Sequence, residues 1–518
     1  MAARPTSSPR RLLIAVATLT TAIFLGTAPG RVPFPDDEIV FQTTQALWED
    51  GTLEIPGIEK RSGEVDGQER GTFGWAPGVD GKRYGFFGHG LSWVALPFYG
   101  LGVATAERVP SLWRYAIRPD HHAFHRRDQR SDWTRLCVSL TNCVISGLTA
   151  ALLLAWLRRL GLGLRAATMT ALAWALGTLA WAFTRTFLSE PLSALTLLAA
   201  AYGITRWHQA RAAEQGGAGW IFAAAAAAGF APHVHVLNLS AWPCLLGYAV
   251  LPLWREGRLA AIARERRALA IAAAIAVIGL GLLGLDQFIR FGSPLETGRL
   301  GRYSHFVAPW IGMLALLVAP GRSLFVYAPA VALGLPGASA LRRRLPIVAG
   351  FALAMVALRW VTIATRSDWF GGWAVGPRHL VPVLPFAVLP LALVWERFFA
   401  GMRGWARALV IAGHVGAVAL SGYLAAYSIF DWMFRLSVDP GIQAAGIRMI
   451  DASHWWPSAS PIAGYHTLKP DILAVGAAAL AERGEPTLLW VFYGVGVIGL
   501  VAAAVILRAL LRPEPEPT

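Results

Sequence analysis

The feature that most constrains this chain is a repeated apolar run long enough to leave water. Twelve such runs lie at residues 12–28, 136–157, 166–183, 192–205, 220–231, 239–253, 268–285, 324–341, 347–364, 380–394, 408–427 and 488–507. Eleven of them contain no Asp, Glu, Lys or Arg, and the run at 347–364 contains only Arg359. About 20 apolar residues span the hydrocarbon core of a bilayer, where each backbone polar group must be satisfied within its own segment. The runs therefore predict an all-α polytopic membrane protein of about 12 transmembrane helices. Asp, Glu, Lys and Arg make up only 15% of the 518 residues, against roughly 25% in soluble domains. A soluble enzyme, a disordered chain and a fibrous repeat are excluded. Cys137, Cys143 and Cys244 all lie in apolar runs and read as packing residues, without a disulfide framework or metal spacing.

Arg10 and Arg11 precede the first run, as they would in a cleaved signal peptide. We read a retained span, because an acidic tract begins within ten residues of its end. Two further stretches, 91–106 and 306–319, are ambiguous, and charge decides them. If neither crosses, the loops on the side of the termini hold 21 Lys and Arg against 6 Asp and Glu, a net +15 equal to that of the whole chain. Cytoplasmic loops are enriched in Lys and Arg. Both stretches then lie along the membrane or re-enter it, the termini are cytoplasmic in a plasma membrane, and the basic charge reflects topology and anionic lipid, not nucleic acid. The many tryptophans near run ends, such as Trp93, Trp133 and Trp310, read as an interfacial belt.

The external face carries the candidate chemistry. Pro35-Asp36-Asp37-Glu38 opens a helix-like stretch, where acids serve as caps; three adjacent carboxylates at a membrane mouth also raise a pKa and make a base. Arg185 and Glu190 share a short external turn, either as an ion pair or facing a cavity. Arg290, Arg299, Arg302, Arg322, Arg366 and Arg378 lie in other short external segments, and Arg359 lies inside a run. Positive-inside topology disfavours them there, so each calls for an anion, and a lipid-linked phosphate is the economical one. Gly371-Gly372 and Gly376-Pro377 lead into Arg378-His379. His121 and His125 have metal spacing, but their polar, arginine-rich surroundings read as a solvated loop. His233 and His235 could face a cavity or satisfy backbone. The reading assigns no metal ligands and requires no cofactor, while leaving room for a divalent cation.

Taken in order, Pro35 to Glu38, Asp80-Gly81-Lys82-Arg83-Tyr84-Gly85 with Leu96-Pro97-Phe98-Tyr99, Arg185 to Pro191, and Gly371-Gly372-Trp373 to Pro377-Arg378 resemble the polyprenyl-phosphate-sugar-dependent membrane glycosyltransferases of the GT-C superfold, among them protein O-mannosyltransferases and lipid A aminoarabinose transferases. The resemblance spans about residues 30–395. It implies a catalytic module over 1–430, whose first external loop, about 30–133, carries juxtamembrane helices. An external segment at 431–487 and a last span with cytoplasmic tail at 488–518 follow. The family's Asp-Glu pair falls on Asp37-Glu38, with Asp37 as base and Asp36 its competitor, and the second-loop acid falls on Glu190. Relatives often carry Lys after the Asp-Gly tract; here the residues are Phe86-Phe87-Gly88-His89. Phosphate contact then falls to Arg83, His89, Arg185, Arg299, Arg302 and Arg378. The implied activity is transfer of a sugar from a polyprenyl-phosphate donor to a hydroxyl of a glycan, lipid or protein on the extracytoplasmic side, with inversion. The rival is a transporter or flippase of a lipid-linked glycan, which would also line a cavity with acids and arginines; the paired repeats common in transporters are absent.

Overall fold

A computed structural model describes residues 9–59, 72–108, 129–299 and 305–511. All twelve apolar runs are helical in it. They lie in α1 (Pro9–Thr27), α4 and α5 (Gln129–Ser139, Thr141–Arg159), α6 and α7 (Leu164–Leu176, Ala180–Thr184), α8 (Glu190–Ala212), α9 (Ala218–Val234), α10 (Trp242–Arg264), α11 (Arg266–Phe291), α13 to α15 (Leu324–Tyr327, Pro329–Gly334, Ala338–Arg344), α16 (Pro346–Ala364), α17 and α18 (Leu384–Ala387, Leu389–Phe399), α19 (Gly404–Ala426) and α25 (Thr487–Leu511). Among the described residues, seven helices are long and apolar enough to cross a membrane, or eight if the pair Arg378–Ala387 and Leu389–Phe399, bent by 42°, is one span. The expected count of about 12 transmembrane helices is not confirmed, because some of the apolar runs are broken, and the sequence supplies the reason. Gly177 ends α6 where an added Cβ would stand 3.3–3.4 Å from Ala417 and Ala330. Pro329, Gly334 and Gly337 break the run at 324–341, and a Cβ on Gly337 would fall 2.1 Å from the Pro390 carbonyl oxygen. Glycines and prolines there exchange helix continuity for close backbone contact.

Small residues also bring α8, α9 and α11 together. A Cβ on Gly203 would stand 2.9 Å from that of Ala224, and a Cβ on Gly279 would stand 2.8 Å from the Gly229 backbone. The alanine tract at 223–228 is thus a packing face. The outer faces of α11 and α25 stay apolar and exposed, with Val277 60% and Leu500 72% accessible, as lipid-facing residues are. The three cysteines are free and buried.

The ambiguous stretches form helices that the span criterion excludes: α3 (Gly90–Arg108) and the nine-residue α12 (Trp310–Val318). The first loop opens with α2 (Pro35–Glu49), which packs on α3, and α3 packs on α4. Two antiparallel ribbons that the sequence reading did not anticipate follow α2: β1 (Ile58–Glu59) with β2 (Thr72–Phe73), and β3 (Trp75–Pro77) with β4 (Arg83–Gly85). Asp80-Gly81 turns the second, with Gly81 at φ 79° and the Lys82 N–H donating to Asp80 Oδ1. The segment after α19 folds as α20 to α24 (Ile429–Ser437, Pro440–Ala444, Met449–Trp455, Pro461–Gly464, Leu473–Ala481).

Candidate active site

Helix α2 starts at Pro35, a good first residue because it has no N–H to leave unpaired. Its three acids follow at once, and a helix turns about 100° per residue, so they face three ways. Asp36 Oδ2 accepts from Arg378 Nη1 at 2.9 Å. Glu38, 2% exposed, takes a forked ion pair from Arg135 on α4, Nε to Oε2 at 2.9 Å and Nη2 to Oε1 at 2.8 Å. The Arg135 guanidinium lies over the Phe41 ring at 4.4 Å. Glu38, expected with the catalytic acids, holds α2 against α4 through this pair. Asp37 is fully buried; its Oδ2 accepts from the Phe187 N–H at 3.0 Å, and its Oδ1 has no partner. Asn142 of α5 shapes that turn by donating to the carbonyls of Thr186 and Leu188. Burial, and then the charges of Asp36 and Glu190, push the Asp37 carboxyl well above the usual range, against the opposing pull of the Phe187 N–H and Arg378.

Glu190 begins α8 with Oε1 accepting from Arg378 Nε at 2.6 Å, while Oε2 is buried and unpaired. Arg378 therefore bridges Asp36 and Glu190. His379, 4% exposed, has no partner for either ring nitrogen, and its Nδ1 lies 3.8 Å from Glu190 Oε1. Asp37, Glu190 and His379 thus leave four buried polar atoms without a protein partner in one place, an uncommon density. Arg359 fixes the backbone here: Nε donates to the His379 carbonyl at 3.0 Å and Nη1 to Asn238 Oδ1 at 3.2 Å.

Beside this cluster is a cleft lined by Phe86, His89, His235, Arg290, Arg299 and Arg366, among others, and by Ser189, the neighbour of Glu190. His235 and His379 stand edge to face with ring centroids 6.1 Å apart. Arg299 Nη2 and both Arg366 donors reach Asp368 at 2.7–2.9 Å, and Arg299 also lies over Phe86. Arg290 pairs with Asp286 and donates to the Gly85 carbonyl. His89, an expected phosphate ligand, does line the cleft; burial and the Arg290 charge push it down to about 3, so it is neutral there. Burial pushes His235 down too, joined by the charges of Arg359 and Arg299.

The other candidates lie elsewhere. Arg185 does not meet Glu190; it donates to the carbonyls of Thr27, Tyr427 and Asp471 and pairs with the Asp471 carboxylate, closing the ends of α1 and α19. Arg322 donates to the carbonyls of Gly372, Ala374 and Gly376, which lets the loop before Arg378 turn through left-handed glycines. Arg83 stacks on Trp75 and donates to the Pro56 carbonyl. The expectation that each external arginine seeks an anion thus fails for Arg322 and Arg359, whose donors serve carbonyls that no helix or sheet satisfies, while Arg185 meets its anion in the Asp471 carboxylate. His233 lines the cleft while its Nε2 meets the Gly279 carbonyl at 2.8 Å. Arg302, His121 and His125 lie outside the described residues. His379 and Asp368 were missed as site residues; the only sequence signal was their place beside Arg378 and Arg366.

No family model matches the chain. No curated protein matches it either. Among solved structures, it is similar to ArnT from Cupriavidus metallidurans bound to undecaprenyl phosphate, at TM-score 0.48 and 16% identity over 96% of this chain and 76% of that one. It is also similar to the apo oligosaccharyltransferase of Archaeoglobus fulgidus, at TM-score 0.47 and 11% identity over 85% of this chain and 59% of that one.

Proposed function

We propose that this polytopic membrane protein is a glycosyltransferase that moves a sugar from a polyprenyl-phosphate donor to an acceptor hydroxyl on the extracytoplasmic side, with inversion. The observation that carries the reading is the unpaired, buried Oδ1 of Asp37 within an acid cluster that adjoins an arginine-lined cleft. In this reading the acceptor oxygen attacks C1 of the sugar and its proton passes to Asp37 Oδ1. The bond from C1 to the phosphate oxygen breaks, and its electron pair leaves with the polyprenyl phosphate. Arg299, Arg366 and Arg290 meet the growing phosphate charge. Arg378 holds Asp36 and Glu190 in place beside Asp37, where their charges raise its basicity. Asp36, held by Arg378, is the weaker candidate for base. One base and no enzyme nucleophile give inversion.

The test is transfer by the purified protein in liposomes, using a panel of undecaprenyl-phosphate hexoses and pentoses with envelope extract as acceptor. Release of undecaprenyl phosphate coupled to sugar incorporation is the expected result. Movement of the donor between leaflets without bond cleavage would replace this reading with the flippase.

A further inference from the structure

Arg299 and Arg366 line the cleft, yet neither is free to give its full fork to a ligand. Both are held by Asp368, which is not a lining residue. Arg366 binds it through Nε to Oδ1 at 2.8 Å and Nη2 to Oδ2 at 2.9 Å, and Arg299 Nη2 reaches the same Oδ2 at 2.7 Å. Burial alone would raise the Asp368 carboxyl, but the Arg366 hydrogen bonds and the two positive charges hold it far below the usual range, so it is ionised. Arg299 Nε, by contrast, is buried and unpaired. The carboxylate sits on a short segment pinned to the chain beside it: the Ser367 N–H donates to the His305 carbonyl, the Val307 N–H to the Thr365 carbonyl, and Phe306 bridges Arg366. Beyond it the loop runs into Gly371 and Gly372, both at positive φ.

The charge count at the cleft follows. Arg290 is balanced by Asp286, while Arg299 and Arg366 share Asp368. Counting Arg290, Arg299, Arg366, Asp286 and Asp368 among the described residues, with His89 and His235 neutral, one positive charge is left over. We infer that Asp368 is an internal counter-anion: it competes with a ligand phosphate for Arg299 and Arg366, and so sets how much negative charge the cleft accepts. This rests on the reading of the cleft as the donor-phosphate site. A phosphodiester donor brings one negative charge and matches the surplus. When the bond to the sugar breaks, the phosphate gains a second charge, and the guanidinium hydrogen bonds then shared with Asp368 can pass to it.

The experiment measures binding of farnesyl phosphate and farnesyl diphosphate to the purified full chain. Wild type should bind the two within a few-fold of each other. Asp368→Asn and Asp368→Ser should bind both more tightly, and should shift preference toward the diphosphate by about tenfold, as expected when a competing charge is removed at short range. Asp368→Glu should keep the wild-type ratio. Unfolding cannot mimic a gain in affinity. Neutral variants that bind no more tightly, or with an unchanged ratio, overturn the proposal while wild-type binding stands. Failure of both neutral variants to fold assigns Asp368 to the scaffold and overturns it as well. If wild type binds neither probe, or Arg299→Gln and Arg366→Gln leave binding intact, it is the donor-site reading that falls.

Discussion

At the scale of single residues, Asp37 is the sharpest case, because stability and activity pull on it in opposite directions. Its folded pKa is raised, chiefly by burial. The protonated form therefore favours the fold: that contribution is full below the usual carboxylate range and is lost as pH rises through the raised value. Catalysis as a base needs the opposite state. We predict that Asp37→Asn is at least as stable as wild type at pH 8, with the difference closing near pH 4, while transfer falls by about 10²-fold or more. Thermal unfolding at the two pH values, alongside the transfer assay, checks both. An Asn variant that is clearly less stable at pH 8 would show that the ionised carboxylate is held by its partners and is not poised to accept a proton. That Asp37 and Glu190 belong to one site is an expectation from the resemblance to the GT-C glycosyltransferases, and the two acids do lie in one cluster. Which arginine faces which acid was not legible in the sequence. Arg185 lies five residues from Glu190 yet serves Asp471, and Arg378 lies 188 positions away and holds it. Sequence distance says nothing of where a guanidinium's donors end up.

At the scale of elements, α2 is placed by Glu38 and Arg135 across its junction with α4. Removing one member of a buried ion pair strands the other. Glu38→Gln should therefore lower unfolding stability by on the order of 3 kcal/mol, and leave transfer per folded molecule within about twofold. A large loss of turnover with normal stability would instead return Glu38 to the chemistry. Helices with uninterrupted apolar runs, such as α11, α19 and α25, were legible to within a few residues. Those that glycine and proline break were not, because a broken span and a whole one share the same composition. The run at 324–341 became three short helices for that reason. The ribbons of the first loop were missed because strands of two or three residues have no periodicity to read.

At the scale of the whole molecule, the net charge of +15 falls on the side of the termini if 91–106 and 306–319 do not cross. The segment carrying Leu295 is then outside and the end of α15, which carries Arg343, inside. Leu295 is 85% exposed and Arg343 is also exposed, while the native cysteines are buried and give little background. We predict that Leu295→Cys reacts with an impermeant maleimide on intact cells and that Arg343→Cys reacts only after permeabilisation. The reverse pattern would invert the topology and place the acid cluster on the cytoplasmic face.

The contact between α1 and α25 also sets an order of events during synthesis. Helix α1 packs on α25, the Leu473 N–H donates to the Ala28 carbonyl, and Arg185 joins Thr27 to Asp471. The segment from Ala28 to Pro35 that leads to Asp37 is therefore anchored by residues made far later. At roughly 5–20 residues per second, α1 waits on the order of a minute for its last partner. Throughout that interval it stands in the bilayer with one face uncovered, exposed to whatever insertion factors or membrane proteases survey unpaired helices. The stretch leading to Asp37 is among the earliest to leave the ribosome and among the last to be secured, so a chain truncated before 471 would carry all the acids of the cluster and lack the clasp that anchors that stretch.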